Sequence, residues 1–114
     1  METAQLEKRR FPRTDEAVCA WLSFKRDSAA YGTTTLDIGM EGARFSALKN
    51  VQEGDHLLVC LQLPWMSIQC KGKVCWIGAD PAGTNCFGVR FLDLRDYERD
   101  FLMRYIQRSE QVVV

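Results

Sequence analysis

The connection between two predicted β-strands is the stretch Leu36-Asp37-Ile38-Gly39-Met40-Glu41-Gly42-Ala43-Arg44-Phe45. On its far side apolar and polar side chains alternate: Ala43 and Phe45 fall on one face and Arg44 on the other. A period of two is typical of a strand with one buried face. Glycines beside an acid are typical of a turn between strands. The stretch therefore predicts two neighbouring strands joined by a tight connection.

The same alternation recurs along the chain and predicts six strands, over residues 17–24, 31–38, 42–47, 56–63, 67–77 and 85–92. Turn sequences separate them, Glu53-Gly54-Asp55 and Asp80-Pro81-Ala82-Gly83 among them, and Pro64 ends the fourth. On the fifth strand, alternation places Val74 and Trp76 on one face. Six short strands at this spacing predict a mainly β protein, a closed or nearly closed antiparallel barrel.

The end of the chain changes to helical spacing. Apolar residues recur there every three or four positions: Tyr97, Phe101, Leu102, Tyr105 and Ile106. Acids open this segment and arginines lie near its end, which suits the helix dipole. We expect an amphipathic helix over residues 95–110 that caps the barrel, residues 17–94. Residues 1–16 form a flexible basic arm, in which Pro12 disfavours a helix, and the whole chain forms one domain.

Composition excludes several classes of protein. The chain has 114 residues with 15 basic and 15 acidic side chains, so it is not a generally basic protein that coats nucleic acid. Its first residues lack the apolar core of a secretion signal, and no apolar run is long enough to span a membrane. The five cysteines form no CxxC pair. We therefore expect a cytoplasmic protein whose cysteines are reduced thiols, used as small buried residues.

Enzyme signatures are also missing. His56 is the only histidine and no cysteine pair has ligand spacing, so the sequence predicts no metal site. No serine lies in a nucleophile-elbow sequence, and there is no phosphate-binding GxxxxGK[ST] loop. We expect no catalytic residues and no enzymatic activity.

Two features of the sequence indicate a ligand-binding site. The first is the basic run Lys8-Arg9-Arg10-Phe11-Pro12-Arg13, whose arginines can bind phosphate or the O6 and N7 acceptors of guanine. The second is Asp37, which can accept hydrogen bonds from the other edge of the base. Gly39 and Gly42 permit close approach of a flat ligand and positive φ. Either feature alone is weak, but together they predict a site for a guanine nucleotide with exposed phosphates.

These residues resemble the PilZ domain family. Arg9-Arg10-Phe11-Pro12-Arg13 is similar to its RxxxR motif, and Asp37 to Gly42 is similar to its [DN]xSxxG motif. The order and separation of the motifs also agree. The resemblance extends over residues 7–107 and includes Gly72-Lys73-Val74-Cys75-Trp76 and Gly88-Val89-Arg90-Phe91-Leu92-Asp93-Leu94.

The resemblance implies a six-stranded split barrel with a C-terminal helix that binds cyclic di-GMP on its outer surface and has no cofactor. Arg9 and Arg13 would hold guanine and phosphate. Asp37 and Gly42 would hold a guanine edge, with Gly39 at the serine position of the motif. Secondary candidates are Trp76, as an aromatic side chain beside the nucleotide, and Lys8 and Arg10, as further phosphate partners.

Gly39 is the one departure from the family motif. A lost neutral hydrogen bond is worth about 0.5–1.5 kcal/mol, so affinity would fall by about two- to tenfold. An alternative is therefore an adaptor with the same fold and weak or no nucleotide binding. Another is a non-specific RNA or anionic-membrane binder that acts through the basic arm. The leading interpretation is a cyclic di-GMP receptor that regulates a separate downstream protein or forms a homodimer.

Overall fold

The computed structural model describes residues 13–27 and 29–111, with the side chains of the last two helical residues outside the description. Its elements are β1 (Arg13–Thr14), β2 (Cys19–Phe24), β3 (Ala30–Gly39), β4 (Gly42–Ser46), β5 (His56–Leu63), β6 (Met66–Ala79), β7 (Asn85–Phe91) and α1 (Asp96–Gln111). In the part of the chain so described, no helix is long and apolar enough to span a bilayer.

Strands β2 to β7 form a closed antiparallel barrel. Their order is β3-β2-β5-β6-β7-β4, and β4 closes the ring by pairing again with β3. The predicted six-stranded barrel with a C-terminal helix is therefore confirmed. The short strand β1 was not among the predicted strands. It pairs with the end of β3, so that Arg13 lies opposite Gly39.

The barrel interior follows the alternation of the sequence. Every second residue of β2 and β5 is buried, as the pattern predicts, and so are the inward residues of β7: Ala20, Leu22, Phe24, Leu57, Val59, Leu61, Leu63, Phe87, Val89 and Phe91. Helix α1 adds Leu102, Tyr105 and Ile106 to the same core. At its start, buried Glu98 accepts a hydrogen bond from the backbone N–H of Arg95, which satisfies a free donor of the first turn.

The sequence-based placement of Trp76 on the same face of the fifth predicted strand as Val74 is wrong. A β-bulge between Val74 and Trp76 places an extra residue, Cys75, in β6. Val74 is buried, whereas the side chain of Trp76 is on the outside with 40% of its surface exposed. An extra residue reverses the alternation beyond it, and simple counting cannot foresee that.

The expectation of buried thiols holds for only part of the cysteine set. Cys70 and Cys86 are buried, Cys60 is half-buried, and Cys19 and Cys75 are exposed. Cys19 lies on the outward face of β2, and Cys75 is the extra residue of the bulge. Burial raises the pKa of the Cys70 thiol to about 12, so this group stays protonated at neutral pH.

Candidate functional site

An open cleft of about 690 Å³ lies on the outer wall of the barrel, across β3, β4, β7 and β6. Its volume is within the range of about 300–1,000 Å³ that is typical of ligand pockets. The second cleft, near Phe24 and Lys49, is much smaller at about 130 Å³. The large cleft is therefore the candidate site.

Strand register sets the floor of this cleft. Asp37 of β3 lies opposite Arg44 of β4, Arg44 lies opposite Gly88 of β7, and Gly88 lies opposite Trp76 of β6. Neighbouring strands are about 4.8 Å apart, so this row crosses about 14 Å of sheet. A carboxylate stands at one end of the row and an indole at the other.

A local irregularity turns Asp37 toward the cleft. Thr35 is buried, and strict alternation would make Asp37 point inward as well. The pairing of β3 with β4 shifts between Thr35 and Asp37, and Ile38 becomes the next buried residue instead. This shift is why an ionisable side chain near the end of a barrel strand faces outward.

Two arginines hold the Asp37 carboxylate. Nη2 of Arg13 donates a hydrogen bond to Oδ1 at 2.7 Å, and Nη2 of Arg44 lies 3.0 Å from Oδ2. The Asp37 side chain keeps only 16% of its surface exposed, against 36% for Arg13 and 25% for Arg44. Partial burial reduces solvent screening of these ion pairs, so they are stronger than fully exposed ones.

Gly42 is required by the packing of the barrel itself. A Cβ at this position would lie 2.1 Å from the backbone oxygen of Val89 on β7. The positive φ that glycine permits is not used at Gly39 or Gly42: within the described residues the glycines with positive φ are Gly54 and Gly83. Gly42 is thus in ordinary strand conformation, and its missing side chain lets β4 approach β7.

The indole of Trp76 lies over Gly88. A Cβ on Gly88 would be 2.2 Å from Nε1 of Trp76 and 2.5 Å from Cε2. The glycine therefore provides the space in which the ring rests against the sheet. Because Trp76 is also 40% exposed, its ring offers a surface on which a base can stack.

The charges that line the cleft are mixed. Three arginines, Arg13, Arg44 and Arg90, face three acids, Asp37, Glu41 and Asp80. The Asp80 carboxylate accepts hydrogen bonds from the backbone N–H groups of Ala82 and Thr84, which hold its own turn together. Such a lining suits a ligand that presents both donors and anionic acceptors, rather than a simple anion.

The predicted site residues that the structure describes lie together. Arg13, Asp37, Gly39, Gly42 and Trp76 all line the cleft. Lys8, Arg9 and Arg10 lie outside the described residues.

Among the lining residues that sequence reasoning missed are Arg44, Gly88 and Arg90. For Arg44, the available signal was its predicted outward position two residues after Gly42. The position of Gly88 beside Trp76 depends on the pairing of β6 with β7, which the sequence does not specify. His56, exposed at the start of β5, does not line the cleft, and no group of three or more metal-ligating side chains occurs within residues 13–27 and 29–111.

Comparison with known proteins agrees with this architecture. The PilZ domain family model matches residues 7–108 of the chain. Motility inhibitor MotI/DgrA of Bacillus subtilis superposes with a TM-score of 0.81 at 18% identity, covering 94% of this chain and 53% of that one. The PilZ domain of Escherichia coli YcgR, solved with c-di-GMP, gives a TM-score of 0.71 at 16% identity, covering 91% and 92%.

A longer Escherichia coli YcgR structure, also in complex with c-di-GMP, gives a TM-score of 0.76 at 18% identity. The superposition covers 46% of that structure and 91% of this chain. The chain thus spans about half the length of MotI and of this YcgR structure. At these identities the likeness establishes the fold. No match was found among curated proteins.

The contact between Trp76 and Gly88 gives the first prediction. Gly88→Ala forces the indole away from the sheet, because the added Cβ overlaps the ring. We expect the emission of Trp76 to shift to longer wavelength and stability to fall by about 1–3 kcal/mol. The Trp76 signal is obtained as the difference between each protein and its Trp76→Phe derivative.

Gly78→Ala is the matched control, since its nearest contact to Trp76 would be 4.0 Å, an ordinary van der Waals distance. Its difference spectrum should equal that of the unmodified chain. Identical spectra for the Gly88 and Gly78 variants would contradict the assigned position of the indole.

Proposed function

The chain belongs to the PilZ domain family, and from this membership and the geometry of the cleft we propose that it is a receptor for cyclic di-GMP. The observation that carries the proposal is the Asp37 carboxylate, held at the cleft wall between the guanidinium groups of Arg13 and Arg44. In the same cleft an indole is available for stacking. We propose no reaction; the ligand is bound and released unchanged.

The recognition of guanine starts at Asp37. A guanine presents N1–H and the 2-amino group as neighbouring donors, and an ionised carboxylate accepts both in charge-assisted hydrogen bonds. Adenine has an acceptor at N1, which the carboxylate would repel. Arg13, more exposed than Asp37, supplies the planar donors that suit the O6 and N7 acceptors of guanine or a phosphate.

Phosphate binding requires more positive charge than the described lining provides. The three arginines and three acids of the cleft balance one another, whereas cyclic di-GMP carries two phosphodiester charges. Lys8, Arg9 and Arg10 lie three to five residues before Arg13, and chain length keeps Arg9 within about 14 Å of it. We propose that these side chains supply the missing charge, with Arg9 as the principal one.

Trp76 is the proposed stacking partner. Its ring lies against Gly88, two strand spacings or about 10 Å along the sheet from Asp37. Stacking of a base on an aromatic side chain is worth about 1–3 kcal/mol. A ligand with two bases and two phosphates has enough recognition groups to use both ends of the row.

The proposed output is a change of surface. Ligand that draws Arg13 and the preceding basic residues onto the barrel wall would create a new face for a separate downstream protein or for a second copy of the chain. Cytoplasmic location, expected from the sequence, is part of this proposal.

Calorimetric titration with cyclic di-GMP tests the proposal. The unmodified chain should bind, with cyclic di-AMP giving no measurable heat under the same conditions. Asp37→Ala should weaken binding at least tenfold, because it removes charge-assisted hydrogen bonds worth about 1.5–3 kcal/mol. Asp100→Ala, on the exposed face of α1, is the control and should leave the affinity unchanged.

An unmodified chain that gives no heat at high micromolar cyclic di-GMP would rule out the receptor and favour the adaptor with the same fold. Binding that tracks only ionic strength and does not distinguish the two dinucleotides would instead indicate a non-specific basic arm.

Gly39→Ser gives a second prediction for the same site. Gly39 lines the cleft at the position where the family motif has serine. The added hydroxyl should strengthen cyclic di-GMP binding by about two- to tenfold, the worth of one neutral hydrogen bond. Ser67→Gly, the reverse exchange at a residue outside the cleft, is the control and should not alter affinity. An affinity that is lower in Gly39→Ser would show that this cleft does not use the serine position.

A further inference from the structure

The two oxygens of the Asp37 carboxylate are held by different cations. Oδ1 accepts from Nη2 of Arg13 at 2.7 Å, and Oδ2 lies 3.0 Å from Nη2 of Arg44. A carboxylate has about four lone-pair positions, two on each oxygen. Each oxygen has one cation beside it, and only Oδ1 accepts a described hydrogen bond, so acceptor capacity remains on both oxygens. Two adjacent donors on the edge of a guanine can each bind one of these oxygens.

The two arginines are held by the fold to different degrees. Arg13 begins the two-residue strand β1, and 36% of its side chain is exposed. Arg44 lies in the middle of β4, which is hydrogen-bonded to β3 on one side and β7 on the other. Asp37 and Arg44 are also register partners. Arg13 can turn to a ligand, whereas Arg44 remains beside Asp37.

Contact with Asp37 is what defines the position of the Arg44 side chain. Its Nε–H is buried and has no hydrogen-bond partner within the described part of the chain. A buried donor without a partner opposes the observed conformation. The ion pair between Nη2 of Arg44 and the Asp37 carboxylate offsets that cost. The guanidinium is therefore oriented by this contact and not by a hydrogen bond from its own Nε.

We propose that Arg44 is a positioning residue that fixes the plane of the Asp37 carboxylate for two-point recognition of guanine. This inference rests on the proposed function. Arg44 thereby sets the preference for a base with both N1–H and a 2-amino group. A carboxylate that is free to rotate would still bind one donor, but it would lose the advantage of the second.

The test compares cyclic di-GMP with cyclic di-IMP, whose hypoxanthine bases lack the 2-amino group, by calorimetry on the full chain. The unmodified protein should prefer cyclic di-GMP by about tenfold or more. Arg44→Gln should weaken binding of cyclic di-GMP by about tenfold and reduce the preference to below about threefold. Arg44→Lys, which keeps the charge without the planar fork, should give intermediate values.

Arg90→Gln is the matched control, because it removes an arginine that lines the same cleft and has no ion pair to Asp37. It should weaken both dinucleotides by the same factor and leave their ratio unchanged. This separates a loss of charge in the cleft from a loss of carboxylate orientation.

The outcomes are distinct. No binding of cyclic di-GMP to the unmodified chain overturns the proposed function. Binding to the unmodified chain, with a preference for guanine that survives in Arg44→Gln, overturns only the role of Arg44. If Arg44→Gln fails to fold or binds too weakly to measure, the ratio in Arg44→Lys decides, and an unchanged ratio there also overturns the proposal.

Discussion

The close contact between β4 and β7 at Gly42 is the constraint on which the cleft depends. The backbone oxygen of Val89 occupies the space that a Cβ on Gly42 would need. A side chain at Gly42 would push β4 away from β7 at the start of the ladder that, together with the pairing of β4 with β3, closes the barrel. Barrel closure in turn places Arg44 between Asp37 and Gly88. The motif glycine therefore acts first on packing, and only through packing on the site.

Two interruptions of strand alternation then aim the functional side chains. The shift in β3 after Thr35 turns Asp37 outward, and the bulge at Cys75 in β6 does the same for Trp76. β-bulges are a common way to redirect a side chain beside a binding site. Here they give the two ends of one row, a carboxylate and an indole, on an otherwise regular barrel wall. The candidate site thus lies on the outer wall and does not open the hydrophobic core.

The sequence predicted the barrel well because its signal is local. Alternation over His56 to Leu63 gave the bounds of β5, and helical spacing gave α1 to within one residue at each end. It could not predict the face of Trp76, since one extra residue reverses every side chain beyond it. Arg44 pairs with Asp37 across the tight connection that the sequence predicted, so its place beside Asp37 was within reach of sequence reasoning. Gly88 joins the row only through the pairing of β4 with β7, two strands that are distant in sequence.

The central claim is that the cleft on the outer wall of β3, β4, β7 and β6 binds cyclic di-GMP. Residue-by-residue NMR titration of the full chain with this dinucleotide tests it most directly. The account predicts that saturable shifts will be concentrated at the amides of Asp37, Arg44 and Gly88 and at the indole N–H of Trp76, with the outer face of β2 unaffected. Saturable shifts on β2 or α1, with these four signals unmoved, would contradict it.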